Sequence, residues 1–146
     1  MKTAGEGIVM CDLHGKFIFF NQKAKEMVGE GAQNIPVEQW PEKYQIYHPD
    51  GIRLMKSDEL FLMRALKGET IENSEVLIGD KDTGMDIQLV VSSRPVRDSS
   101  GNIAAAIADF IEVAEIKRLE NLLNEIKVKY IELMDLSEPK KNEVMN

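Results

Sequence analysis

The chain is short of three reactive residues: one cysteine, one tryptophan and two histidines in 146 residues. A lone cysteine, Cys11, forms no intramolecular disulfide and no cysteine zinc cluster. It lies in an apolar run and reads as a small buried hydrophobe in a reducing compartment, so the cytoplasm is the expected location. No stretch of about 18 apolar residues occurs, so no membrane-spanning helix is expected. The N-terminus holds no long apolar core, so no signal peptide is expected either. Positive charge is the scarcer sign: 18 Lys and Arg stand against 25 Asp and Glu, a net charge of −7. An acidic surface repels phosphate backbones, and nucleic acid is not an expected partner.

Enzymatic machinery is equally scarce. Gly5 and Gly7 lack the G-x-G-x-x-G context, and no G-x-x-x-x-G-K-[ST] loop occurs. His14 reads as a turn residue and His48 as an exposed turn histidine, so neither suits a phosphoacceptor on a dimerising helix. Asp80, Asp82 and Asp86 cluster, but Lys81 intervenes and the EF-hand spacing is not met; the group reads as a solvated hairpin tip. Spacing leaves a Cys11–His pair open, yet Cys11 falls in a buried strand, and the module is expected to be non-catalytic.

What is present is an ordinary globular composition, 43% hydrophobic and 29% charged, with eight Met. The length suits one domain plus one extra element. Residues 7 to 12 read as a short buried strand. Asp12 and Gly15 then suit the first and fourth positions of a type I turn, and Lys16 to Phe20 completes a hairpin. Asn21 is a good N-cap for a short helix that Gly29 ends. Residues 29 to 56 are rich in Gly and Pro but carry Trp40, Tyr44, Ile46 and Tyr47, so they read as a packed connection with a helical turn near residues 41 to 45. Ser57 opens a helix of about three turns to Leu66, stopped by Gly68. Thr70–Ile78, Met85–Val96 and Ile103–Ile111 read as three strands, with a polar hairpin loop over Gly79–Gly84. Met85, Ile87, Leu89 and Val91 recur at period two.

From Glu112 the pattern changes. Ile116, Leu119, Leu123, Ile126, Tyr130 and Leu133 are spaced 3, 4, 3, 4 and 3 apart, a heptad seam. Ile alternating with Leu favours two parallel strands; the other reading is a helix folded back on its own sheet. Residues 112–146 carry 6 basic and 8 acidic side chains against 12 and 17 upstream, so most of the excess acid is globular. The divisions expected are a domain over 1–111, a dimerisation helix over 112–136 and a polar tail over 137–146. Strand pairs with helices between them predict an α+β fold, one antiparallel sheet with helices on one face.

The residues carry a resemblance to the PAS domain, the small sensor module of signalling proteins. The stretches that resemble it are Gly5-Glu6-Gly7-Ile8-Val9-Met10 with Asp12 and Gly15, Phe17 to Asn21, and Tyr47-His48-Pro49-Asp50-Gly51. Arg64-Ala65-Leu66-Lys67-Gly68-Glu69 and Ser92-Ser93-Arg94-Pro95-Val96-Arg97-Asp98 with Gly101-Asn102-Ile103 continue it, over roughly residues 5 to 117. The family's closing Asp-Ile-Thr-like signature here reads Glu112-Val113-Ala114: the acid is kept as Glu and the hydroxyl is lost.

The resemblance implies a five-stranded antiparallel sheet of order 2-1-5-4-3 with helices on one face, to which the heptad seam adds a C-terminal coiled-coil helix. It also implies a cavity between sheet and helices. Candidate walls are Met10, Trp40, Tyr44, Phe61, Leu89, Val91 and Ile107, with Arg94 a possible anchor for a carboxylate; the other reading, and the preferred one, is that these residues fill an ordinary core and Arg94 lies on the outer face. Haem-binding members carry an axial His, commonly on the helix that here spans Ser57 to Leu66, which has none. Flavin-photoreceptor members carry Asn-Cys-Arg-Phe-Leu-Gln, which is absent. Neither haem nor flavin is expected, and the sequence names no other cofactor.

The implied role is a sensory or regulatory module of a signal-transduction protein, a two-component histidine kinase being the parent expected. A small-molecule ligand or partner would act through Glu112 and Val113 at the junction and Ile116, Leu119, Leu123 and Ile126 in a homodimer seam, toward an output domain. The alternative is a ligand-free dimerisation or docking domain of a transcriptional regulator or diguanylate cyclase.

Overall fold

A computed structural model describes residues 5–29, 31–32, 35–79 and 86–137. The expected hairpin tip at residues 80–85, with Asp80 and Asp82, and the polar tail from residue 138 lie outside the described residues. The chain forms two compact units, one reaching Val113 and one running from Ala114.

In the first unit, β1 (Gly7–Asp12) pairs antiparallel with β2 (Phe17–Phe20). Asp12 builds the turn between them: its Oδ1 accepts from the backbone N–H groups of His14 and Lys16, each at 2.9 Å. Asn21 caps α1 (Gln22–Val28) as its residue type predicts, with Oδ1 accepting from Ala24 N–H at 2.9 Å. The same oxygen accepts from Ile8 N–H at 3.0 Å, and Nδ2 donates to the Glu6 carbonyl at 3.1 Å. One side chain therefore ties the start of β1 to the start of α1. Gly29 closes the helix at φ 77°, a left-handed conformation that glycine reaches without a Cβ penalty.

A 3-10 turn (Val37–Gln39) leads into α2 (Trp40–Lys43), and β3 (Ile46–Tyr47) follows. The helix expected over Ser57–Leu66 is two pieces. A 3-10 turn over Ser57–Glu59 ends where Leu60 turns extended (φ −62°, ψ 139°), and α3 (Phe61–Leu66) starts after it. The break has a local cause: Glu59 folds back and accepts from Lys56 N–H at 2.9 Å, closing the turn on itself. Then come β4 (Ile71–Gly79), β5 (Asp86–Arg97) and β6 (Ile103–Glu112).

The sheet order is β2-β1-β6-β5-β4-β3, with every pairing antiparallel. This is the expected order with one strand added at the edge. The addition is two residues long, pairing Ile46 with Ile78 and Tyr47 with Leu77, too short for a sequence period to reveal. Helix α3 packs on β5 and β6, and α1 on β1, so the core lies on one face of the sheet. Ala106 and Ala108 are small enough for the helical layer to approach the central strand. At Gly7 a Cβ would run into the Phe110 ring from β6, so the start of β1 needs glycine for close approach.

The second unit holds α4 (Val113–Ser137) from its second residue onward. Its large apolar side chains stay open to solvent: Leu119 is 45% exposed, Leu123 51% and Ile126 56%, while Ile116 is half-buried. Arg118 grips Glu115 one turn back with a forked pair of hydrogen bonds at 2.7 and 3.1 Å. No helix among the described residues is long and apolar enough to cross a membrane.

Candidate functional site

Trp40 and Tyr44 are four residues apart, so helical geometry sets both rings on one side of α2. Phe17 meets them from β2. It stacks on Trp40 with centroids 4.5 Å apart and planes at 11°, and meets Phe20 and Tyr44 edge-on at 5.2 and 6.2 Å. The Tyr44 hydroxyl is occupied by a hydrogen bond to the Gly31 carbonyl at 3.1 Å. These four rings form one end of a cavity of about 100 Å³. The sheet supplies Val9, Ile46, Val76, Ile78, Leu89, Val91, Ala108 and Phe110; Phe61 and Leu62 of α3, Leu60 just before it and Val28 at the end of α1 complete the lining. Ser93, itself buried, donates from Oγ to the Phe61 carbonyl at 3.2 Å and fixes the start of α3 to β5 beside the cavity.

Of the residues singled out by sequence, Trp40, Tyr44, Phe61, Leu89 and Val91 come together in this wall. Met10 and Ile107 do not, and this corrects the expectation. They face each other across β1 and β6 on the opposite side of the sheet, in a row running Phe19, Met10, Ile107, Arg94. The reason is strand parity: side chains alternate, so Val9 and Ala108, one residue away from each, point inward instead. Arg94 belongs to that outer row and is exposed, so it anchors nothing in the cavity. Sequence reasoning missed Val9, Phe17, Phe20 and Phe110, among others. Phe110 was accessible in principle, because it pairs with Val91, whose inward phase the β5 alternation reveals.

The junction residues sit in series. Leu89, in the cavity wall, is the cross-strand partner of Glu112, the last residue of β6, and Val113 opens α4. Leu119, Leu123 and Ile126 follow on α4 itself.

His48 departs from its expected exposure. Its side chain is only 18% exposed, and Nε2 lies 3.1 Å from each Glu59 carboxylate oxygen. The Glu59 carboxyl is held below its ordinary range, first by the Lys56 N–H and then by His48. Cys11 is buried on the inner phase of β1, and burial pushes its thiol up to about 11, with the nearby Asp12 charge adding to the effect.

No histidine, cysteine or carboxylate lines the cavity among the described residues, and no cluster there suits a metal ion. A volume near 100 Å³ is also far below what a porphyrin or an isoalloxazine ring system fills, given that a cavity of about 150 Å³ admits benzene. The wall therefore fits neither haem nor flavin.

An antiparallel sheet of this order with helices on one face is the PAS fold, and solved structures share it. The chain is similar to the light-state dimer of the fungal blue-light photoreceptor Vivid, at 19% identity over 73% of this chain and 77% of that one, with a TM-score of 0.52. It is similar to the Vibrio cholerae VqmA dimer, described as a LuxR-type receptor, at 16% identity over 77% of this chain and 48% of that one, with a TM-score of 0.53. A PAS domain from Colwellia psychrerythraea aligns at 19% identity over 74% of this chain and 86% of that one, with a TM-score of 0.48. No protein-family model and no curated protein sequence matches the chain.

Proposed function

We propose that this chain is a sensory module of a signal-transduction protein, reading the content of its internal cavity and passing the result to a dimerising C-terminal helix. The observation that carries this reading is a short covalent and hydrogen-bonded path. Leu89 and Phe110 wall the cavity, Leu89 pairs with Glu112, and the next residue begins α4. A molecule that swells or stiffens the wall thus acts within one strand pairing of the helix start. For that to be a signal, the molecule must bind two arrangements of β5 and β6 with different free energies.

The division of labour follows: residues 1–111 sense, 112–136 pair with a second copy, and the tail from 137 leads to an output domain, a histidine kinase being the parent proposed. The single buried thiol suits a reducing compartment such as the cytoplasm. That Vivid and VqmA are dimers supports the helix pairing. So does the heptad seam, whose apolar side chains are too numerous and too exposed to be left in water by an isolated helix.

The test is oligomeric state. Leu119→Asp together with Leu123→Asp puts two charges in the seam and is expected to yield a monomer by multi-angle light scattering, with the near-UV spectrum of the globular unit unchanged. A dimer that survives both substitutions overturns the seam as the interface.

A further inference from the structure

The seam of α4 also carries a direction. Ile116, Leu123 and Tyr130 hold the first core position of each heptad, and Leu119, Ile126 and Leu133 the second. Ile followed by Leu, the order that favours two parallel strands, occurs only in the first heptad. The second heptad runs Leu123 then Ile126, the reverse, and the third begins with Tyr130. A parallel pair would set each core residue against its own copy, with Tyr130 facing the partner's Tyr130. An antiparallel pair sets first positions against second ones. Ile116 then meets the partner's Leu133, Leu119 the partner's Tyr130, and Leu123 the partner's Ile126.

The flanking charges separate the two directions. Glu115, Leu122 and Lys129 precede the first core positions; Glu120, Lys127 and Met134 follow the second ones. In a parallel pair the first set meets the second set five residues on. Glu115 would meet the partner's Glu120, Leu122 the partner's Lys127, and Lys129 the partner's Met134. No opposite charges meet there, and one contact repels. In an antiparallel pair each set meets itself. Glu120 then meets the partner's Lys127, twice by symmetry, and Leu122 receives the aliphatic stem of the partner's Lys129.

Within one helix these charges have no such outlet. Glu120 and Lys127 are both exposed, and among the described residues neither enters an ion pair. They stand two turns apart, about 10 Å along the axis, too far to pair with each other. Glu115 differs, being held by Arg118 of its own helix at 2.7 Å.

We infer that α4 pairs with a second copy of itself in the antiparallel direction, with Leu123 against the partner's Ile126 and Glu120 against the partner's Lys127. This rests on the helix pairing proposed above and fixes its direction. Each helix then ends beside the start of its partner, so the two C-terminal ends are held about 37 Å apart, at about 1.5 Å per residue over the 25 residues of the helix.

The test is sedimentation equilibrium of the full chain at low ionic strength, where surface charges are least screened. Glu120→Lys is expected to raise the dimer dissociation constant about tenfold, because two attractions become two repulsions. Lys127→Glu should do the same, and the two substitutions together should return the native value. Parallel pairing predicts the opposite sign for Glu120→Lys, since the new cation would meet the partner's Glu115 and tighten the dimer. A tighter dimer or an unchanged constant overturns the direction and leaves the pairing standing. Losses in both single variants that the double variant does not recover overturn the assigned contact. A native chain that stays monomeric at every concentration overturns the pairing itself, and the inference falls with it.

Discussion

The globular unit and the C-terminal helix draw on similar aliphatic residues and use them in opposite ways. Leu89 in β5 is 2% exposed, and Leu123 in α4 is 51% exposed. The first unit has solved its burial internally, with Val76, Leu89 and Met27 enclosed by sheet and helices. The helix repeats apolar residues at heptad spacing yet leaves them open. The contrast separates two kinds of effect. Changes in the first unit act on the fold, and, under the pairing proposed above, changes in the second act on association, which is concentration-dependent.

The sharpest way to break this comparison is to make one chemical change in both places. Leu89→Ala removes a fully buried side chain at the cavity wall and is expected to destabilise the globular unit by about 2–5 kcal/mol in urea denaturation. Asn21→Ala comes next, at about 1–2 kcal/mol, because it removes a helix cap and also leaves Ile8 N–H unmet.

A pH measurement probes the same burial through Cys11. Its thiol pKa rises from an ordinary 9.0 to about 11 in the fold, so the folded state favours the neutral form. Below about pH 9 both folded and unfolded chains hold the proton, and the contribution is complete. Between about 9 and 11 the unfolded chain ionises first, and stability falls as pH rises. Thermal melts across that window should show this decline, and Cys11→Ala should flatten it. An equal decline in the variant would place the alkaline sensitivity elsewhere.

The smallest effect belongs to Leu123→Ala. It should change the unfolding free energy of the globular unit by less than about 0.5 kcal/mol, while weakening self-association in sedimentation velocity. A penalty comparable to that of Leu89→Ala would mean that the seam is part of the core, and the contrast between the two regions would collapse.

How much of this was legible varied with local pattern. The β5 phase could be read because polar Gln88 and apolar Leu89 and Val91 alternate, and it pointed to two residues of the cavity wall. Trp40 and Tyr44 could be read from their helical spacing. In β1 and β6 the phase was illegible. Ile8 and Met10 are as apolar as Val9 and Cys11, and Ile107 and Ile111 rival Ala108 and Phe110, so both faces of each strand look like core. The break at Leu60 was hidden because Leu60 itself is a good helix former; a side-chain bond from Glu59 decided it.

The sequence by itself determined the order of the five longer strands, the cap at Asn21, the turn at Asp12 and the heptad spacing on α4, all of which depend on neighbours a few residues apart. Only the tertiary structure decided which side of the central strands faces the helices. In a strand apolar on both sides, phase is set by pairing register: Val91 opposite Phe110 and Phe110 opposite Gly7. Once Phe110 lies over a glycine with no side chain to displace it, Val9 and Ala108 must turn inward and Met10 and Ile107 outward. The cavity then closes from segments as distant as Val9 and Phe110, because packing, and not local spacing, brings them together.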